Sequence, residues 1–430
     1  MPAHKYRQIY ATRFTRQRKQ DGKNTNRPCQ NGANPDNKVM SNCPETLSVA
    51  LAHHWLVSMR GGEKVLAALA NLFPDAPIYT LIARRNQLDA GLQNRQIQTS
   101  WLQRLILIPD LQRKALPFLP SAARSLDVSE YDVVICSDAA TIKAVHTRPE
   151  ALKLCYCHSP MRYVWDMYDQ YYAGAGLLSK LGLRLFAKRI SKADRTAANG
   201  VTAFIANSKH VADRIQRCYD RNSVVIPPPV NTNFPPNNTP PDDYYLVVGE
   251  HISYKRNDLA IDACTKMGKS LVVIGTGPLL NNMHRRAGAS VRILGWQTDD
   301  RIRYHLARCR ALLFCGQEDF GMVPVEAQAA GRPVIAYRTG GASETVKEGC
   351  TGLFFDKQNI ESVIDSIKHF ESIDTLWPPS QIQEYAQQFS TDKFIDRFNR
   401  FYNWCLAHYR AGGTQQVRKA TTTIDREAFL

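Results

Sequence analysis

Two glutamates eight positions apart, Glu318 and Glu326, frame the run Glu318-Asp319-Phe320-Gly321-Met322-Val323-Pro324-Val325-Glu326. The first follows an apolar strand pattern over 311–314. Pro324 predicts a helix that opens there and carries Glu326 in its first turn. Gly321 lets backbone come close to a ligand, helix-start amides can hold an anion, and Met322 and Val323 beside them are further donor-binding candidates. Two carboxylates so placed suit the recognition of vicinal hydroxyls, one set on a sugar and one on a ribose. The competing reading gives Glu326 to the helix dipole and leaves Glu318 as a solvated loop residue. The loop–Gly–Pro–helix context favours the first. Lys255 and Arg256 follow another strand pattern, over 245–249. Cations there would meet the negative charge that develops when a nucleoside diphosphate departs. Gly61 and Gly62 stand at a strand-to-helix turn, where backbone amides can approach phosphate. Gly275 and Gly277 occupy a similar turn after 270–274. His158 ends a strand pattern and precedes Pro160, which aims it toward the same edge. No metal-ligand cluster is visible, and none is expected.

Elements that could position these residues are legible on both sides of a break. Patterned sequence begins just after Met40. Strands are expected over Ser48–His53, Ala76–Leu81, Tyr131–Ser137, Leu152–His158 and Val201–Asn207, with helices over Glu63–Phe73 and Ser208–Cys218. Residues 224–241 are saturated with Pro and Asn and read as a stiff linker. The alternation then restarts with Tyr245–Gly249, Ser270–Ile274, Val291–Leu294, Ala311–Phe314 and Pro333–Tyr337. Helices fall at Asn257–Lys266 and Val325–Ala330. A last helical stretch runs from Trp377 to Trp404 and breaks near Ser390. Strand–helix alternation implies α/β architecture with parallel sheets. Two doubly wound, Rossmann-like domains joined by a linker place ligands in the crevice between them.

Composition bounds the rest. The 430 residues are 44% hydrophobic, enough for two cores, and no stretch reaches the length of a membrane span. Eleven scattered cysteines, without a C-x-x-C, suit a reducing, cytoplasmic setting. The net charge is +16. Residues 1–44 carry nine Lys or Arg against two Asp, so nearly half of that excess sits on a segment without hydrophobic period. We expect this segment to be a disordered basic tail. No aromatic-basic motif supports nucleic-acid binding.

The 318–326 run resembles the E-x7-E motif of the retaining GT-B glycosyltransferases of family 4, with Asp319 at the first variable position. The likeness extends over roughly residues 48–402. It implies that Glu318 contacts the donor sugar and Glu326 the nucleotide ribose. The family also carries R-x4-K, both cations on the diphosphate. Lys255 matches the lysine, but Glu250 stands where the arginine belongs: either Arg256 or another base compensates, or turnover is low, or the substrate differs. The segment from His53 to Gly62 is similar to the family's H-D-W-L…G-G loop, with His54 in place of Asp. Cys157–Asp166 is similar to the H-T-P-M-R-Y-x-W-D segment of bacterial mannosyl- and rhamnosyl-type members, which sets His158 near the transferred sugar. Gly340-Gly341 and Glu344 resemble G-G-x-x-E.

The resemblance implies an acceptor-binding domain over 45–225, a linker over 226–243 and a nucleotide-sugar domain over 244–385. A helix over 386–410 then packs back toward the first domain, and 411–430 is expected to be a flexible tail. It further implies retaining transfer of a hexosyl group, with GDP-mannose the favoured donor and no cofactor required. The expected acceptor is a glycan or polyprenyl-diphosphate-linked hydroxyl, as in polysaccharide or lipopolysaccharide synthesis, and the basic surface could touch an anionic membrane. A nucleotide-sugar epimerase or phosphorylase on the same fold, or an inactive homologue, are the alternatives.

Overall fold

The computed structural model describes residues 47–105, 118–162, 164–165, 177–237, 239–373 and 377–430. The basic 1–44 segment, and Tyr163 and Asp166 of the His158 run, lie outside the described residues.

Short runs rich in Val, Ile, Leu and Ala form central strands buried on both faces, as helix-covered parallel sheets require, while the edge strands Ile97–Thr99 and Val291–Gly295 are partly exposed. The first half holds β1 (Val49–His53), β2 (Ile78–Thr80), β3 (Ile97–Thr99), β4 (Val133–Asp138), β5 (Leu152–Cys157), β6 (Ala203–Ala206) and β7 (Ser223–Val225). They pair in parallel in the order β3-β2-β1-β4-β5-β6-β7. The second half holds β8 (Tyr245–Val248), β9 (Leu271–Ile274), β10 (Val291–Gly295), β11 (Leu312–Phe314), β12 (Val334–Tyr337) and β13 (Gly352–Phe355). These are again parallel, in the order β10-β9-β8-β11-β12-β13. The expected pair of doubly wound α/β domains is therefore present. In each sheet the order reverses beside a central strand, between β1 and β4 and between β8 and β11. Loops leaving the strands' C-terminal ends diverge at such a point and open a crevice.

Several boundaries differ from the sequence reading. Strands β3, β7 and β13 were not anticipated, and β3 and β7 have only three residues each, too few to show a period. The helix after β11 spans Met322–Ala329 because Gly321, at φ +84, serves as its N-cap. Pro324 is thus the third helical residue rather than the first, and Glu326 the fifth, beyond the first turn.

The connecting segment is anchored rather than bare. Ile226 and Val230 are fully buried, and Val230 N donates to Phe389 O at 3.0 Å. Ser390, where the helical pattern breaks, accepts from Lys393 N and starts the helix Thr391–Thr423. That helix drives Phe394, Phe398, Phe401 and Cys405 into the core of the first domain. Each phenylalanine so buried contributes about 1.5–3 kcal/mol.

Residues 411–430 are packed and not the flexible tail expected from the sequence. The helix deviates only at Gly412 and Gly413, then continues, and Val417 and Phe429 join the same core. Arg426 pairs with Asp213 at 2.7 Å, and Val225 N donates to Arg426 O at 2.7 Å. Val417 and Phe429, with Ile424 packed beside them, are widely spaced apolar anchors in a largely polar stretch, which is why composition alone suggests a loose end. No helix among the described residues is long and apolar enough to cross a membrane.

Candidate active site

On the second sheet the loops after β8 and β11 meet. The loop after β8 runs through Gly249-Glu250-His251 to a short turn at Ser253–Lys255, and the helix Asn257–Met267 follows. The loop after β11 lies directly on it, since a Cβ at Gly316 would stand 2.6 Å from Lys255 Cα. The two side chains singled out in the sequence are thereby brought together, with Lys255 Nζ 2.9 Å from Glu318 Oε1. The turn after β12 steadies the other side of the Glu318 loop. Gly341 N donates to Glu318 O at 2.8 Å, and a Cβ at Gly341 would come within 2.2 Å of Phe320 Cα.

The first sheet contributes the turn after β1 and the ends of β4 and β5. Gly61 opens the helix Gly61–Leu72 and lies so close to the second domain that a Cβ there would meet Met322 Sδ at 2.8 Å. At Gly62 a Cβ would lie 3.5 Å from His158 Nε2. That nitrogen bonds Ser137 Oγ at 2.8 Å, and the same hydroxyl meets His53 Nδ1 at 3.0 Å. Burial lowers His158 to about 4, although Asp138 and Asp319 pull the other way. His54 is likewise lowered by burial to about 4, and His53 falls well below the ordinary value. At neutral pH these imidazoles are uncharged, so His158 can give or take a hydrogen bond but supplies no charge.

Beneath them a fully buried Lys143 pairs with Asp138 at 2.8 Å and Asp194 at 2.5 Å. Burial alone would raise the Asp138 carboxyl, but Lys143 and hydrogen bonds hold it below the usual range. Asp138 Oδ1 also accepts from Ala140 N and Ile142 N. Its carbonyl accepts from His158 N at 2.8 Å, which fixes the backbone that carries the histidine.

A set of contacts crosses between the domains, and none of them was read from the sequence. Arg60 Nη1 reaches Glu250 Oε2 at 2.9 Å, and Lys64 Nζ reaches Glu326 Oε1 at 3.2 Å. Glu326 raises the Lys64 ammonium above its ordinary value against the effect of burial. Asp319, beside Glu318, receives Arg162 at 2.7 Å and Arg214 at 2.8 Å, and its carbonyl accepts from Ser208 Oγ. Burial alone would raise Asp319, but the two guanidinium groups hold its carboxyl below the usual range. Arg162 also lies over the Tyr254 ring, 4.7 Å from its centroid. Glu344 caps the helix Lys209–Tyr219 from across the interface, accepting from Lys209 N at 2.7 Å and His210 N at 2.8 Å.

The remaining anticipated residues divide. Met322 and Val323 lie in the first turn behind Gly321, with Met322 against Gly61. Gly275 and Gly277 satisfy a packing demand, since a Cβ at the first would lie 1.9 Å from Gly249 O and at the second 2.6 Å from His251 O. They let the β9 turn support the β8 turn. Arg256, at φ +47, engages Asp258 of its own helix at 3.2 Å instead of joining Lys255. Among the described residues no group of three His, Cys, Asp or Glu is placed to hold a metal ion.

Comparison with known proteins bears on the fold and the family. Residues 59–234 match the family model described as "Glycosyltransferase Family 4" and residues 230–389 that described as "Glycosyl transferases group 1". Over 207 residues the chain is 28% identical to an uncharacterised glycosyltransferase of Methanocaldococcus jannaschii, covering 46% of this chain and 58% of that one. Over 113 residues it is 34% identical to the GDP-mannose-dependent α-(1-6)-phosphatidylinositol monomannoside mannosyltransferase of Mycobacterium tuberculosis, covering 23% and 29%. The chain thus spans less than two thirds of the length of either relative. Anabaena HepE, solved in complex with UDP, shares the fold with a TM-score of 0.60 at 16% identity, covering 82% of this chain and 99% of that one. Together the two family models take in more than three quarters of the sequence, and the chain belongs to the family 4 glycosyltransferases of GT-B architecture.

Proposed function

We propose that this chain transfers a hexosyl group from a nucleotide diphosphate sugar to a hydroxyl of a glycan or lipid-linked acceptor, with retention of configuration. The observation that carries the reading is the Lys255–Glu318 pair at 2.9 Å, set at the crevice of the second sheet with the Gly61-Gly62 turn of the first opposite it. In this reading Glu318 orients the sugar hydroxyls and Glu326 receives the ribose hydroxyls. Lys255 meets the charge on the leaving diphosphate, and the Gly61 and Gly62 amides add hydrogen-bond donors beside it. The bond from the anomeric carbon to the diphosphate oxygen breaks, and a bond to the acceptor oxygen forms on the same face. The acceptor's proton passes to the departing phosphate oxygen. Neutral His158 positions the sugar or acceptor by hydrogen bonding.

Mannose on GDP is the first donor to test, in keeping with the named mannosyltransferase relative. UDP-sugars are the comparison, in keeping with the UDP complex of HepE. A panel of nucleotide sugars should include one that raises the melting temperature, because a ligand that binds only the folded state stabilises it. With that donor and an acceptor, NMR of the product's anomeric centre should show the donor's configuration. An inverted product would refute retention. Conversion of donor alone, with no acceptor, would support an epimerase instead.

A further inference from the structure

The position that by resemblance should hold an arginine holds Glu250, and neighbouring Arg256 is turned to Asp258. Lys255 is paired with Glu318. A leaving diphosphate would then meet a crevice whose second-sheet side carries more carboxylate than the chemistry wants. The first domain supplies the missing charge. Arg60 Nη1 lies 2.9 Å from Glu250 Oε2, and two thirds of the Arg60 side chain remains open to solvent against one quarter of Glu250. Its backbone is fixed at the start of the Gly61–Leu72 helix, where Arg60 N donates to Glu63 Oε2 at 3.2 Å. The next residue, Gly61, makes the close approach to Met322. On the other side of Glu250, a Cβ at Gly249 would lie 3.1 Å from Lys255 Nζ. Arg60 and Lys255 therefore flank one short turn, one from each domain.

We infer that Arg60 is the second diphosphate-binding cation of this enzyme, delivered from the first domain, and that Glu250 is its docking carboxylate. The inference builds on the donor reading above. A guanidinium on Glu250 keeps further N–H donors for phosphate oxygens, since the carboxylate occupies only part of its fork. The charge reversal at 250 is then a relocation of the arginine. It also makes leaving-group stabilisation depend on apposition of the domains, because the two cations reach the turn from opposite sides.

The test compares wild type, Arg60→Ala, Glu250→Arg, the double variant Arg60→Ala/Glu250→Arg, and Lys255→Ala. Each is assayed for kcat with the active nucleotide sugar, and for binding of GDP and UDP with their monophosphates by calorimetry. Arg60→Ala should lower kcat by about 10-fold or more and weaken the preferred diphosphate more than its monophosphate. The double variant should regain most of that loss, because the cation returns on the second domain although no bridge to residue 60 can form. If the double variant stays as poor as Arg60→Ala, or if Arg60→Ala binds diphosphate as wild type does while Lys255→Ala does not, Arg60 only bridges the domains and the inference falls. If wild type binds neither diphosphate, the donor reading falls and takes this inference with it.

Discussion

Replacing Asp319 with Asn tests whether the interdomain ion cluster aims the loop that carries Glu318. The substitution keeps the side chain's volume and removes its charge. Arg214 is 3% exposed and Arg162 15%, and both point at the lost carboxylate from 2.8 and 2.7 Å. A hydrogen bond to a charged group contributes about 1.5–3 kcal/mol, and removing one partner of a buried ion pair costs about 3–5 kcal/mol because the other charge stays behind. The amide still offers Arg214 one oxygen, so we expect a loss of about 3 kcal/mol, toward the lower end of that range. Urea titration at neutral pH, followed by tryptophan fluorescence, should show the midpoint fall. Since Asp319 is adjacent to Glu318, kcat should fall too, by about 10-fold or more if Glu318 shifts by a fraction of an ångström. Arg214→Met supplies the control, as the two changes share one contact. Their combined cost should be smaller than the sum of the single costs by about 1.5 kcal/mol. Strict additivity, or an unchanged midpoint with unchanged kcat, would refute the role assigned to the cluster.

Other outcomes follow from the same geometry. Lys255→Ala should lower kcat about 100-fold or more, whereas Glu326→Ala should mainly raise the donor KM, by about 10-fold or more. Equal and negligible effects in steady-state assays would count against both roles. His54 and His158 titrate near 4 in the fold against an ordinary 6.5, so the unfolded chain binds more protons between those values and stability must rise with pH across that window. At pH 5 each histidine should cost about 2 kcal/mol relative to pH 7, seen as a lower urea midpoint, and His54→Gln should flatten the profile. An equal midpoint at the two pH values would refute the burial of neutral imidazoles. Lys143→Met should cost about 3–5 kcal/mol by stranding Asp138 and Asp194, and a midpoint within about 1 kcal/mol of wild type would show that this triad is not needed for stability.

What the sequence made legible was local. The Val- and Ile-rich runs announced the central strands of both sheets, and Gly-Gly and Gly-x-Gly turns marked where loops leave them. The Lys255–Glu318 pair could be anticipated because each residue follows a strand of the same sheet, and strands β8 and β11 are neighbours there. The edge strands β3 and β7, three residues each, escaped, as did the four-residue edge strand β13. The start of the Met322–Ala329 helix escaped because Gly321 at positive φ is a stronger cap than Pro324 is an initiator. Val417, Ile424 and Phe429 escaped because apolar side chains so widely spaced do not make a helical or strand pattern.

The cross-domain contacts were illegible for a different reason: their partners lie far apart in the chain, and no period links them. One local signal was still available. Arg60 and Lys64 stand four residues apart at the start of one helix, and residues so spaced share a face. That face looks across the crevice, so its two cations land on Glu250, after β8, and on Glu326, after β11. A single helix of the first domain thereby senses both loops that would hold the donor, one at the diphosphate end and one at the ribose end. Moving that helix by one residue, through an insertion between Arg60 and Lys64, would add about 100° of rotation and take the two charges from about 40° to about 140° apart. Both contacts could not then form together. If those loops hold the donor as proposed, the spacing of four is a requirement of the site and not a property of the helix alone.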